Sequence, residues 1–162
     1  MSIKFYSSKH KFNEFSNFFR CLIKLDEKEW KTSEHYYQAM KSEYPLIQET
    51  IRNAESPREA LRQGRNIRPR SDWNEVKFGV MRKVIWAKFT QHESLKQLLL
   101  STGEEELIED SPIDRVWGCG KDGTGANWLG KILMETREKI RLGKILTNAK
   151  EDIDIGNQPI VY

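Results

Sequence analysis

The chain has 162 residues, a net charge of +3 and 31% charged residues. That length favours one domain and suffices to bury a core without disulfides or a structural metal. The mild positive charge admits an anionic ligand without demanding nucleic acid. Cys21 and Cys119 form neither a CxxC nor a metal-like pair, which suits a reduced cytoplasmic protein.

The first residues, "MSIKFYSSKHKF", lack the apolar stretch of a signal peptide, and no run approaches the length needed to cross a bilayer. "IKFY" at 3–6 reads as a short strand. "CLIKLDEKEWKT" at 21–32 alternates around Asp26-Glu27-Lys28 and suits a hairpin. A helix is expected over 33–43, stopped ahead of Pro45, and a second over 45–54. Ser56 caps a third, with Pro57 at its first position and an end near Gly64. "SDWNEVKFGVMRKVIWAKFTQ" is the longest amphipathic stretch; its apolar residues, from Val76 to Phe89, follow helical spacing. "HESLKQLLLST" follows as a helix ended at Gly103, and "EELIED" reads as a short strand. The last helix is expected from about Ala126 to Arg141, closed by Gly143. The remainder is polar and reads as a loose tail, with room for a small strand at "PIVY". The sum is a mostly helical α+β domain over residues 1–143, with a small antiparallel β element, and a C-terminal tail over 144–162. A doubly wound sheet would need regular strand–helix alternation, which is missing.

Three segments join acids, aromatics and basic or glycine-rich backbone: "KTSEHYYQAMK" at 31–41, "RPRSDW" at 68–73 and "DRVWGCGKDGTGANWLGK" at 114–131. Helical spacing puts Glu34, Tyr37 and Gln38 near one another. Glu34 adjoins Tyr36 and Tyr37, and Asp114 adjoins Trp117; an apolar wall raises a carboxyl pKa and makes it a better acid or base near neutrality. Cleaving a bond to an anomeric carbon needs such groups. The plainer readings are a helix-dipole role for Glu34 and an Asp114–Arg115 ion pair. Trp73 and Trp117 stand at segment boundaries, where each serves equally as a stacking platform or as packing at the core's edge.

"GCGKDG" at 118–123 matches G-x-G-x-x-G literally, but lies too near the C-terminus to open a βαβ unit. Gly118 and Gly120 would still let backbone N–H groups approach an anion, or simply form a tight turn. Asn127 suits either a ligand contact or an N-cap. Arg65 and Arg68, with Arg62 and Arg70, carry planar forks that match phosphate or a solvated surface. His10, His35 and His92 show no metal spacing, and no nucleophile motif is present.

The ordered set "FNEFSNFF", "WKTSEHYYQAMK", "RSDW", "MRKVIWAKF", "LLLSTG" and "LIEDSPIDRVWGCGKDGTGANWLGKILMETRE" resembles the YbiA-like or NADAR family. The resemblance implies an N-glycosidase. One branch of the family hydrolyses ribosylamino-pyrimidine phosphates, early intermediates of riboflavin biosynthesis, to ribose 5-phosphate and free base. Another acts on ADP-ribose-related substrates, including ADP-ribosylated guanine. By the same resemblance Glu34, Trp73 and Asp114 match the family's essential residues, and Ser16 and Asn17 its Ser-Asn loop. Trp73 is then expected to stack on the base; Arg65, Arg68 and the loop around Gly120–Asn127 to hold phosphate; and Tyr37, Gln38, Trp117 and Gly118 to contact substrate. The partner implied is a small phosphorylated ribosyl compound, with nucleic acid entering only as an ADP-ribosylated substrate, no membrane, no cofactor and no metal. The rival readings are an ADP-ribosyl hydrolase and a silent nucleotide-binding module.

Overall fold

In a computed structural model, the chain is described for residues 1–156 and its side chains for residues 1–146. The fold is α+β and mostly helical. Four short strands, β1 (Ser2–Phe5), β2 (Ile23–Leu25), β3 (Lys28–Trp30) and β4 (Glu106–Glu109), accompany six helices. The helices are α1 (Ser33–Ala39), α2 (Pro45–Arg52), α3 (Pro57–Asn66), α4 (Trp73–Gln91), α5 (Glu93–Ser101) and α6 (Trp128–Gly156). Among the described residues no helix is long and apolar enough to cross a membrane.

β2 and β3 form the expected antiparallel hairpin, with Ile23 opposite Trp30. Asp26 and Glu27 turn it with positive φ. Besides this hairpin, β1 and β4 pair in parallel, with Ile3 opposite Leu107 and Phe5 opposite Glu109. Two segments a hundred residues apart thus share a ladder, a pairing that no local pattern announces.

α1 is the hub of the fold. It touches α2, α3, α4 and β3, and all seven of its residues are buried. A helix buried all round is normally apolar; this one is largely polar, so its side chains find internal partners. The Thr32 hydroxyl caps it by accepting from the N–H of His35. The hydroxyl of Ser33 donates to Oδ1 of Asn17 at 2.8 Å, and that of Tyr36 to Asp26 at 2.8 Å. The ring of His35 is held between Thr32 and the carbonyl of Ala54. The core around α1 is apolar: Phe5, Phe15, Trp30, Ile85, Phe89 and Leu107 are essentially inaccessible.

Two boundaries differ from expectation. α1 stops at Ala39 because Lys41 and Ser42 donate to the carbonyls three residues back, tightening its last turn. α6 runs through Gly143 to Gly156. One glycine costs a helix only about 1 kcal/mol, and Ile145 and Leu146 continue it with no proline nearby. The backbone is therefore helical over much of the segment read as a loose tail. The strand expected at "PIVY" lies outside the described residues.

Candidate active site

A cleft of about 1040 Å³ opens over the start of α1. Its walls are the loop after β1, the Ser16-Asn17 turn, one face of α3 and the segment after β4. Glu34, Tyr37 and Gln38 line it from α1, Ser16 and Asn17 from the turn, Arg65 from α3, and Asp114 and Trp117 from the far segment. The first and third sequence clusters therefore converge.

Glu34 lies in the first turn of a buried helix. Its N–H donates to the carbonyl of Asn17, and its Oε1 accepts from Nε2 of Gln38 at 2.6 Å. Desolvation pushes its pKa up to about 7, against the hydrogen bond from Gln38 and the charge of Lys41, with the Asp114 charge adding to the rise. Asp114 is fixed differently. Its Oδ1 accepts from the N–H groups of Val116 and Trp117 at 2.8 and 2.7 Å, while its own N–H donates to the hydroxyl of Ser111. Such a turn holds one carboxylate oxygen and leaves the other outside it. Arg115 pairs with Asp122, not with Asp114.

The Ser16-Asn17 turn is held from beneath. Lys88, wholly buried, donates from Nζ to the carbonyl of Ser16 at 2.9 Å, and desolvation brings its pKa down to about 8. The hydroxyl of Ser16 accepts from the N–H of Phe18, so the same pair makes a side-chain-stabilised turn and lines the cleft.

Trp73 is not in the cleft wall. It is 8% exposed and tilts against the ring of Tyr37, with centroids 5.1 Å apart. Tyr37 in turn meets Trp117 edge to face at 5.3 Å and accepts a hydrogen bond from its Nε1. Trp117 is the indole that reaches the cleft; Trp73 stands behind Tyr37.

Gly118, Gly120 and Asn127 are also outside the cleft lining. The N–H groups of Gly123, Gly125, Ala126, Asn127, Trp128 and Leu129 all donate to backbone carbonyls of residues 115–120, and that of Thr124 donates to Asp122. These donors are spent on folding the loop. Gly120 supplies a positive φ of 68°. A Cβ on Gly118 would meet Ser111 at 2.9 Å. Asn127 clamps β4: its Oδ1 accepts from the N–H of Glu109, its Nδ2 donates to the carbonyl of Leu107, and its carbonyl accepts from Lys131 at the start of α6.

Arg68 is exposed and away from the cleft, whereas Arg20 and Arg58 line it. Arg62 is paired with Glu59, and Arg70 with Asp72. Among the described residues Arg20, Arg58, Arg65 and Arg68 are the arginines without a carboxylate partner, apart from Arg137, which bonds Thr102 and a carbonyl. Three of those four face one cavity. On α3, positions 58, 61 and 65 share a face, a spacing that was readable from the sequence.

Glu109 is the other residue that the clusters did not flag. It sits two positions after fully buried Leu107 on β4, hence on the same inward face. Period-two reading of "ELIE" would have marked it. Desolvation, then the charges of Asp114 and Glu34, push its pKa up to about 8. Among the described residues no three His, Cys, Asp or Glu side chains are arranged to hold a metal ion.

A model of the NADAR domain matches residues 4–141. The chain belongs to the NADAR domain family. The protein named N-glycosidase YbiA of Escherichia coli (strain K12) is 46% identical over 144 residues, spanning 88% of this chain and 90% of the relative. N-glycosidase Npun_R5314 of Nostoc punctiforme is 42% identical over 146 residues, 87% of this chain and 94% of that one. Riboflavin biosynthesis protein VVA0006 of Vibrio vulnificus is 40% identical over 141 residues, 86% of this chain but 38% of the longer relative. The NMR structure of E. coli YbiA matches with a TM-score of 0.83 at 44% identity, covering 90% of this chain and 89% of that one. The NADAR fold is thus present here.

Proposed function

We propose that this NADAR protein is an N-glycosidase that hydrolyses the bond between C1 of ribose and nitrogen in ribosylamino-pyrimidine phosphates, releasing ribose 5-phosphate and the free base. One observation carries the assignment to this cleft: carboxyl groups gather at its floor while arginines without acid partners stand on its walls. The floor suits an oxocarbenium-like transition state; the walls suit a phosphate. Relatives named N-glycosidase and riboflavin biosynthesis protein support the reaction and the substrate class. Two free thiols, Cys21 and Cys119, fit a reducing cytoplasm.

In this reading Glu34 takes the proton of the attacking water. Asp114, with one oxygen committed to its turn, steadies the ribose. Trp117 flanks the pyrimidine in the place expected of Trp73. Arg20, Arg58 and Arg65 replace Arg68 and the glycine loop as the phosphate contacts. A second reading, hydrolysis of an ADP-ribosyl bond, is favoured by the cleft's volume, which lies at the upper end of ordinary ligand sites. The test is one panel: ribosylamino-pyrimidine phosphate and ADP-ribosylated guanine incubated separately with the protein. Ribose 5-phosphate release from the first supports the main reading; free ADP-ribose from the second alone supports the other. No product from either would refute both.

A further inference from the structure

Hydrolysis of an N-glycosidic bond needs a proton for the departing nitrogen as well as a base for water. Glu34 is engaged with Gln38, and Asp114 with two backbone N–H groups. The third carboxyl of the cleft is arranged otherwise. The backbone of Glu109 is pinned on both sides: its N–H donates to Oδ1 of Asn127 at 2.9 Å, and its carbonyl accepts from the N–H of Cys119 at 2.9 Å. Its carboxyl makes no hydrogen bond or ion pair among the described residues, although it lines the same cavity as the other two acids. A carboxylate so placed, beside two like charges and with no donor, is costly. The neutral acid has one O–H to give, and Glu109 lines the ligand space.

We infer that Glu109 is the proton donor to the leaving nitrogen of the base. The inference rests on the glycosidase reading above and names the residue that completes it. The C1–N bond breaks, and its electron pair stays on nitrogen, which takes the Glu109 proton. Water adds at C1 and gives its proton to the Glu34 carboxylate. Transfer of that proton to Glu109 through solvent resets the site, so the sum is substrate plus water giving sugar phosphate plus base. The raised pKa of Glu109, about 8, keeps the acid protonated at neutral pH.

The experiment measures kcat and KM of the native protein and of Glu109→Gln on the ribosylamino-pyrimidine phosphate, from about pH 6 to about pH 10, a window that spans both limbs of the expected bell. Native protein should lose activity on the alkaline side near pH 8. The variant should fall at least about 100-fold in kcat with little change in KM, and its alkaline limb should vanish. Turnover of the variant within about threefold of native overturns the role, given that general acids contribute about 100-fold or more, and so does an unchanged alkaline limb. Should Glu109→Gln fail to fold, Glu109→Asp takes its place. Slow turnover with the limb retained supports the role, and native turnover overturns it. A native protein with no glycosidase activity refutes the parent reading too; an active native protein with an equally active variant refutes Glu109 alone.

Discussion

Nε2 of Gln38 donates to Oε1 of Glu34 across 2.6 Å, one turn along the same helix. The other end of that amide has no partner among the described residues: Oε1 of Gln38 is buried and unbonded, directed at Gly64 of α3. A Cβ at Gly64 would lie 2.0 Å from that oxygen and 2.9 Å from the Cβ of Gln38. The close approach of α1 and α3 therefore depends on the missing side chain. Gly64→Ala is expected to lose about 1–3 kcal/mol of stability through overpacking, read from urea denaturation. It should also slow turnover, because the amide that orients Glu34 is the group displaced. Native stability together with native kcat would show that the contact has no such role.

Glu34→Gln keeps the shape and the acceptor for Gln38 while removing the charge. Turnover should disappear, with fold and ligand affinity largely intact. Its stability should depend on pH in a definite sense. The carboxyl of Glu34 has a folded pKa of about 7, above its value in the unfolded chain. Its contribution is complete below the unfolded pKa and is lost as pH rises through about 7. The Gln variant has nothing to lose in that window. It should match the native protein near pH 4 and exceed it by roughly 2–3 kcal/mol near pH 8. Denaturation midpoints at the two pH values test this, and a gap independent of pH would contradict the desolvation of Glu34.

Why these acids were half-legible in the sequence follows from what local patterns encode. Ser56-Pro57 marks the start of α3, and the alternation around Asp26-Glu27 marks the hairpin, because capping and turn chemistry act within a few residues. Glu34 stood out because a carboxylate among tyrosines in a first turn is a local anomaly. Glu109 did not, since its significance comes from the β1–β4 pairing and from Asn127, which lie far away in sequence. The glycine loop shows the converse. Its composition permits an anion cradle, but composition does not reveal that the N–H groups of residues 123 and 125–129 are donated to carbonyls of residues 115–120.

Substitutions separate a supporting role for Trp73 from a stacking one. Behind Tyr37 it fills core volume at the N-terminus of α4. Trp73→Ala should cost about 3–5 kcal/mol, the usual loss for a buried aromatic. Trp73→Phe should keep most of the packing and leave KM within about twofold of native, whereas Trp117→Ala should raise KM about 5–150-fold by removing a stacking surface of about 1–3 kcal/mol. Urea midpoints and steady-state kinetics on the same variants decide it. A large KM effect at position 73 with unchanged stability would move the base to Trp73.

The arginines give the sharpest test of what the cleft recognises. Arg58 is exposed, unpaired and on the α3 face that carries Arg65, seven residues and therefore about 10 Å along the helix. Arg65 lies close enough to act on the charge of Glu34, so Arg58 marks the part of the wall farther from the carboxyl floor. A substrate whose anomeric carbon sits at the floor would direct its phosphate toward that wall. Losing one charge-assisted contact there costs about 1–2 kcal/mol, so Arg58→Ala should raise KM about 5–30-fold for a phosphorylated substrate. The same variant should leave KM for the dephosphorylated ribosylamine unchanged, since nothing then reaches Arg58. Equal losses on both substrates would mean that Arg58 acts through the shape of α3 and not through phosphate, and the phosphate contacts would have to be sought at Arg20 or Arg65 instead.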